Sequence, residues 1–219
     1  ICYPSQTKYT YAEVIRIVEK LTVGLKRFGL FPGSNIGIVL SNCPEVVFLS
    51  LAALRLGAQV SMANPAYTKE ELLHQFSTVG TQFFVCEPDS LKAVKSVMFQ
   101  LRILQNKCIV LNGKPKNGHE FTYQTILENG SSGTVNLPKI DPKKPAFFFN
   151  SSGSTGLPKS VIITHYAFLA VLTQSLAPEL WPSEKFNRLF FPSESDRVYG
   201  PFPFFHIGND NDNLRSSRV

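Results

Sequence analysis

The apolar positions of this chain change period as the sequence advances. Val14, Ile17, Val18, Leu21, Leu25 and Phe28 fall on one face at helical spacing, with Thr10 and Glu13 set as a capping box before them and Gly29 behind. That pattern predicts a helix. Pro32-Gly33 then turns the chain into Ile36-Gly37-Ile38-Val39-Leu40, a short continuous apolar run of the kind found in a strand covered on both faces. Pro44 opens a second predicted helix that runs to about Leu56 and stops at Gly57. A strand follows over 59–62, and Thr68 with Glu71 caps a third helix. Further along, 82–86 reads as strand, 91–101 as helix, 107–111 as strand and 122–127 as a short helix.

Strands and helices that alternate across short Pro/Gly turns build βαβ units, so the predicted fold is α/β, with parallel sheets and helices on both faces. No repeat of a fixed period breaks the alternation. The stretch over 129–142, with Asn129-Gly130-Ser131-Ser132-Gly133, Pro138 and Asp141-Pro142, reads as a surface connection. It suits a link between two subdomains and a long loop inside one domain equally well.

Composition narrows the class. At 43% hydrophobic, with 18 Phe and 17% charged residues, the 219-residue chain carries too much apolar surface to stay disordered and enough for a sizeable core. The net charge of +6 comes from scattered basic residues, whose densest groups are Lys114-Pro115-Lys116 and Lys143-Lys144. Such a distribution argues against nucleic acid as the partner. Cys2, Cys43, Cys86 and Cys108 form no CxxC or CxxH pair, so the expectation is reduced, mostly buried thiols rather than a zinc site or a disulfide framework. Arg55 interrupts the best apolar run, 46–58, and no stretch reaches the roughly 18 residues of a transmembrane helix.

The chemistry is concentrated between two strand-like runs, 146–149 and 161–164. They flank Asn150-Ser151-Ser152-Gly153-Ser154-Thr155-Gly156-Leu157-Pro158-Lys159-Ser160. Glycines permit close backbone approach, hydroxyls and N–H groups supply donors, and Lys159 adds positive charge, which together suit a polyphosphate. A Gly/Ser surface turn is the bland alternative, and it fits 129–133 well. A Walker A loop is the sharp one, and 153–160 lacks only a Gly at Pro158. Proline offers no N–H to a phosphate, and the β-branched residues after Lys159 argue for a strand where a Walker loop needs a helix. The segment is therefore read as strand, loop, strand.

Ser151 to Val161 resembles the S-S-G-[ST]-T-G-x-P-K-G-V signature of the adenylate-forming (AMP-binding) superfamily, departing at Ser160, where the family usually has Gly. Thr10-Tyr11-Ala12-Glu13, Leu54-Arg55-Leu56-Gly57-Ala58, Asn64-Pro65-Ala66-Tyr67 and Pro203-Phe204-Phe205-His206-Ile207-Gly208 are similar to further family stretches in family order. The wording is most similar to the acyl-CoA synthetase, coumarate–CoA ligase and luciferase branch. The resemblance implies that a carboxylate attacks the α-phosphate of Mg-ATP, that pyrophosphate leaves, and that CoA then takes the acyl group from the adenylate. It implies phosphate binding by Ser151, Ser152, Gly153, Ser154, Thr155, Gly156 and Lys159, with Lys159 holding the leaving pyrophosphate and His206 near the α-phosphate and the acid. ATP, Mg2+, CoA and a carboxylic acid are the ligands it implies, in an intracellular, cytoplasmic or peroxisomal enzyme. His165 reads as a structural capping residue, and His74 and His119 as surface residues.

After Gly208 the chain reads Asn209-Asp210-Asn211-Asp212-Asn213-Leu214-Arg215-Ser216-Ser217-Arg218-Val219, where the family continues with an apolar helix. A calcium loop there would want a Gly and a distal Glu. The expectation is a partial AMP-binding domain over 1–208, an aberrant disordered tail over 209–219, and no carboxyl-terminal domain. Two functional classes follow: part of an acid–CoA ligase, inactive by itself, or a noncatalytic piece that binds nucleotide or a partner.

Overall fold

Thr10 is still extended when its hydroxyl accepts from the Glu13 amide at 3.2 Å, while Glu13 accepts from the Thr10 amide at 2.7 Å. This reciprocal box starts α1 (Tyr11–Phe28), and Gly29 ends it in the left-handed region at φ 104°. The computed structural model describes residues 7–113, 121–151 and 159–175. Within them the chain runs through β1 (Asn35–Val39), α2 (Pro44–Arg55), β2 (Gln59–Ala63), α3 (Lys69–Thr78), β3 (Phe83–Cys86) and α4 (Leu91–Gln100). It continues as β4 (Cys108–Val110), β5 (Phe121–Thr122), α5 (Tyr123–Asn129), β6 (Pro145–Ser151), β7 (Lys159–Thr164) and α6 (His165–Ser175).

The sequence patterns match these elements closely, and the departures have local causes. The strand expected over 107–111 is shorter because Gln105–Lys107 close a 3₁₀ turn. The helix expected from 122 starts one residue later because the Thr122 hydroxyl caps it, accepting from the Thr125 amide at 3.0 Å. Helix α6 was not predicted: Tyr166, Phe168, Leu169, Val171 and Leu172 lie all round it, so no apolar stripe marks it. Its cap is Thr164, whose hydroxyl accepts from the Ala167 amide at 3.1 Å, so the capping role expected of His165 belongs to its neighbour.

Among the described residues seven strands form one sheet in the order β5-β4-β3-β1-β2-β6-β7. All neighbours are parallel except β6 and β7, which are antiparallel. Strand β6 pairs with β2 through Val60↔Phe147 and Ser61↔Phe148, so the connection over 129–142 returns the chain to the same sheet. That is the long-loop reading of the segment. Val135 from it packs against the core.

The period of two along each strand sends alternate side chains to two cores. Ile36, Ile38, Val60, Val85, Ile109, Phe147 and Phe149 meet α1, α2 and α5 on one face. Val39, Ala63, Phe84, Cys86, Cys108 and Val110 meet α3 and α4 on the other. Phe76 of α3 stands edge-on to Phe84 at 5.0 Å and 86°, a geometry that adds about 0.5–1.5 kcal/mol to area burial. On the first face α1 and α5 touch backbone to backbone. A Cβ on Gly24 would run into the Ile126 carbonyl oxygen, and one on Gly130 into that of Lys20.

Cys86 and Cys108 are buried thiols 3.8 Å apart, and neither is in a disulfide. Cys43 is also a thiol, half-buried, as the sequence led one to expect; Cys2 lies outside the described residues.

Candidate functional site

Strand β6 is apolar from Ala146 to Phe149 and turns polar at Asn150-Ser151. It runs parallel to β2, so its polar end lies at the carboxyl edge of the sheet, where open α/β sheets place their ligands. Strand β7 returns antiparallel, pairing Phe147↔Ile163, Phe148↔Ile162, Phe149↔Val161, Asn150↔Ser160 and Ser151↔Lys159. The two ends of the hydroxyl-rich loop, Ser151 and Lys159, are thus opposed across the ladder, and Lys159 is exposed. One pair below, the Ser160 hydroxyl donates to Asn150 Oδ1 at 3.0 Å. The base of the hairpin is tied by backbone bonds from His165 N–H to the Lys144 carbonyl and from Tyr166 N–H to the Pro142 carbonyl, at 3.1 and 2.8 Å.

Lys159 begins a strand, and the helix after it starts only at His165. A Walker loop feeds straight into a helix whose amino end faces the phosphates. The hairpin is therefore not a Walker site. Ser152, Gly153, Ser154, Thr155 and Gly156 lie outside the described residues, as do His206, His119 and the tail over 209–219. Of the expected phosphate-binding residues, the structure describes the Ser151 backbone and Lys159, and it brings these together. Asn150 received no role from the sequence; a polar residue closing an apolar strand was the available signal.

Beside the hairpin, on the α1/α2/α5 face, α6 and α2 leave a cavity of about 400 Å³ between them. Val46 and Leu51 of α2, Met62 of β2, Phe147 and Phe149 of β6 and Phe168 of α6 line it. The Phe147 and Phe168 rings meet at 5.2 Å. The cavity is almost wholly apolar, and the sequence did not reveal it because α6 was not predicted. His74 is half-buried, its backbone carbonyl accepting from the Ser77 and Thr78 hydroxyls at 3.1 and 2.7 Å.

Burial shifts Cys43, Tyr123 and His165 toward their neutral forms. Burial pushes the Cys43 thiol up to about 12, outweighing the helix amino terminus it precedes, and favours the protonated thiol. Burial likewise raises Tyr123, with Glu45 adding to the effect. Burial lowers His165 below 6.5 and favours its neutral form. Among the described residues no group of three or more His, Cys, Asp or Glu stands together as a metal cage.

A family profile described as AMP-binding enzyme matches residues 1–210. The chain belongs to the AMP-binding enzyme family. A 4-coumarate–CoA ligase 3 from Oryza sativa subsp. japonica is 30% identical over 199 residues, covering 91% of this chain and 33% of that protein. Among solved structures, a red-emitting luciferase from Phrixothrix hirtus superposes with a TM-score of 0.69 at 24% identity, over 80% of this chain and 34% of that one. The anthranilate CoA ligase AuaEII, solved in complex with anthranoyl-AMP, superposes with a TM-score of 0.67 at 19% identity, over 81% of this chain and 32% of that one. At these identities the structural likeness speaks for the fold, that of an adenylate-forming domain. This member of the AMP-binding family spans about a third of the length of the relatives it matches. Among the described residues no helix is long and apolar enough to cross a membrane.

Proposed function

We propose that the hairpin between β6 and β7 is the phosphate-gripping element of an ATP-dependent acid–CoA ligase, of which these 219 residues supply only part. The observation that carries the reading is the opposition of Ser151 and Lys159 at the carboxyl edge of the sheet. It sets a cation at the far end of the segment that holds Ser152, Gly153, Ser154, Thr155 and Gly156. Charge grows on phosphate oxygens as a carboxylate displaces pyrophosphate, and donors fixed beforehand stabilise it without reorganising. In this reading Lys159 neutralises the leaving pyrophosphate and the loop hydroxyls and amides hold the remaining oxygens. The same reading assigns His206, by its resemblance to the family motif, to the α-phosphate and the acid, a carboxylic acid of acyl or aryl type. The acyl-adenylate then passes its acyl group to the thiol of CoA. Mg2+ would accompany the nucleotide in this scheme and would offset charge on its phosphate oxygens.

The reading includes inactivity of the 219 residues alone. Val47, Leu51, Leu169 and Leu172 expose apolar surface on α2 and α6. The test is acid-dependent exchange of labelled pyrophosphate into ATP. The 219 residues should give none, and a version extended to the length of the relatives should give exchange that needs both a carboxylic acid and Lys159. ATP hydrolysis that needs Lys159 but no acid would overturn the ligase reading. Exchange by the 219 residues alone would overturn the inactivity.

A further inference from the structure

The neck of the hairpin carries a side-chain contact that the family signature does not supply. Asn150 and Ser160 are direct partners in the β6–β7 ladder, immediately below Ser151 and Lys159. The Ser160 hydroxyl donates to Asn150 Oδ1 at 3.0 Å. Asn150 Nδ2 is shielded from water and has no hydrogen-bond partner among the described residues. Such an amide is costly to keep buried, so the bond it does make matters to where it stays. The signature that 151–161 resembles has Gly at position 160, and Gly would remove the hydroxyl and loosen the backbone together.

We propose that the Asn150–Ser160 contact is a clasp across the hairpin neck that positions Lys159 for a polyphosphate. Ser160 is a positioning residue: it touches no phosphate and acts through the pair above it. With the clasp closed, β6 and β7 stay in register up to their last pair, and the Lys159 backbone leaves the sheet in a fixed direction. The cation is then presented to the ligand with less to order on binding, which tightens affinity without a new contact. The inference rests on the phosphate-binding reading of the hairpin and deepens it.

The experiment titrates magnesium pyrophosphate into the full 219-residue chain and into its S160G, S160T, N150A and S160G/N150A variants. Amide hydrogen exchange is followed along β7, and thermal midpoints verify folding. S160G and N150A should each bind about threefold to tenfold more weakly, and the double variant no more weakly than the worse single one, as coupled neighbours behave. S160T keeps the hydroxyl and should restore wild-type affinity. Exchange at the Val161 amide should quicken in S160G and N150A and not in S160T. Wild-type binding with S160G unchanged, or losses that add in the double variant, would overturn the positioning role alone. A wild-type chain that binds no pyrophosphate would sink the phosphate reading and the positioning role with it.

Discussion

Lys159 and Ser151 face one another as the last cross-strand pair of the β6–β7 hairpin, so the cation and the first hydroxyl-bearing residue of the loop start from fixed, adjacent points. The chain need not search for this pairing. It follows from the antiparallel register set lower down by Phe147↔Ile163 and Phe149↔Val161.

From that pairing, Lys159→Ala should weaken Mg-ATP binding by about tenfold to a hundredfold, the range of one charge-assisted hydrogen bond of about 1.5–3 kcal/mol. Calorimetric titration measures it. Unchanged affinity at an unchanged thermal midpoint would remove Lys159 from the site.

Gly24 inside α1 should not tolerate even Ala. At an open helix position that change gains about 1 kcal/mol of helix propensity. Here the added carbon meets the Ile126 carbonyl oxygen, so α5 must move away, and the expected outcome is a net loss of about 1–3 kcal/mol. Urea midpoints at constant slope will show it; a stabilised variant would mean that α1 and α5 do not touch there.

Acid should destabilise the fold in two windows. Burial holds His165 below 6.5 in the folded state, so the unfolded chain takes up more protons as the pH falls through 6.5, and stability drops until the folded value is passed. His165→Gln should flatten the pH dependence there. Glu13, lowered below 4.5 by its hydrogen bonds to Thr10, contributes stability that is present above 4.5 and is lost as the pH falls through its folded value. Unfolding free energies at stepped pH check both, and an unaltered slope in the His165 variant would contradict the first.

The α2–α6 cavity should bind apolar dyes. Placing charges at its exposed rim and on α6, as Leu51→Lys with Leu172→Glu, should lower dye fluorescence and light scattering of the chain while its helix content stays the same. Equal dye binding by the double variant would show that the sticky surface lies elsewhere.

Much of this molecule was legible in its sequence because the signals are local. Thr10 with Glu13 and Thr68 with Glu71 mark two helix starts through bonds that span three residues, and both boxes are present. The strand over 36–40 and the hairpin arms on either side of 150–160 declare themselves through β-branched and aromatic runs bounded by Gly and Pro. Helix α6 escaped because its apolar residues lie all round it, and β5 because two residues carry no period.

Taken by itself, then, the sequence determined the alternation of elements, the parallel sheet with helices on both faces, and the loop that marks the family, since each is written in residues within a turn or a strand of one another. Tertiary structure alone decided that β6 lies beside β2, that Asn150 bonds Ser160 beneath Lys159, and that α2 and α6 frame a cavity. Val60 and Phe147 are far apart along the chain, and no local preference names either as the other's partner. That choice is made only when both faces of the sheet must be buried at once, and the period of two then leaves one register that buries them.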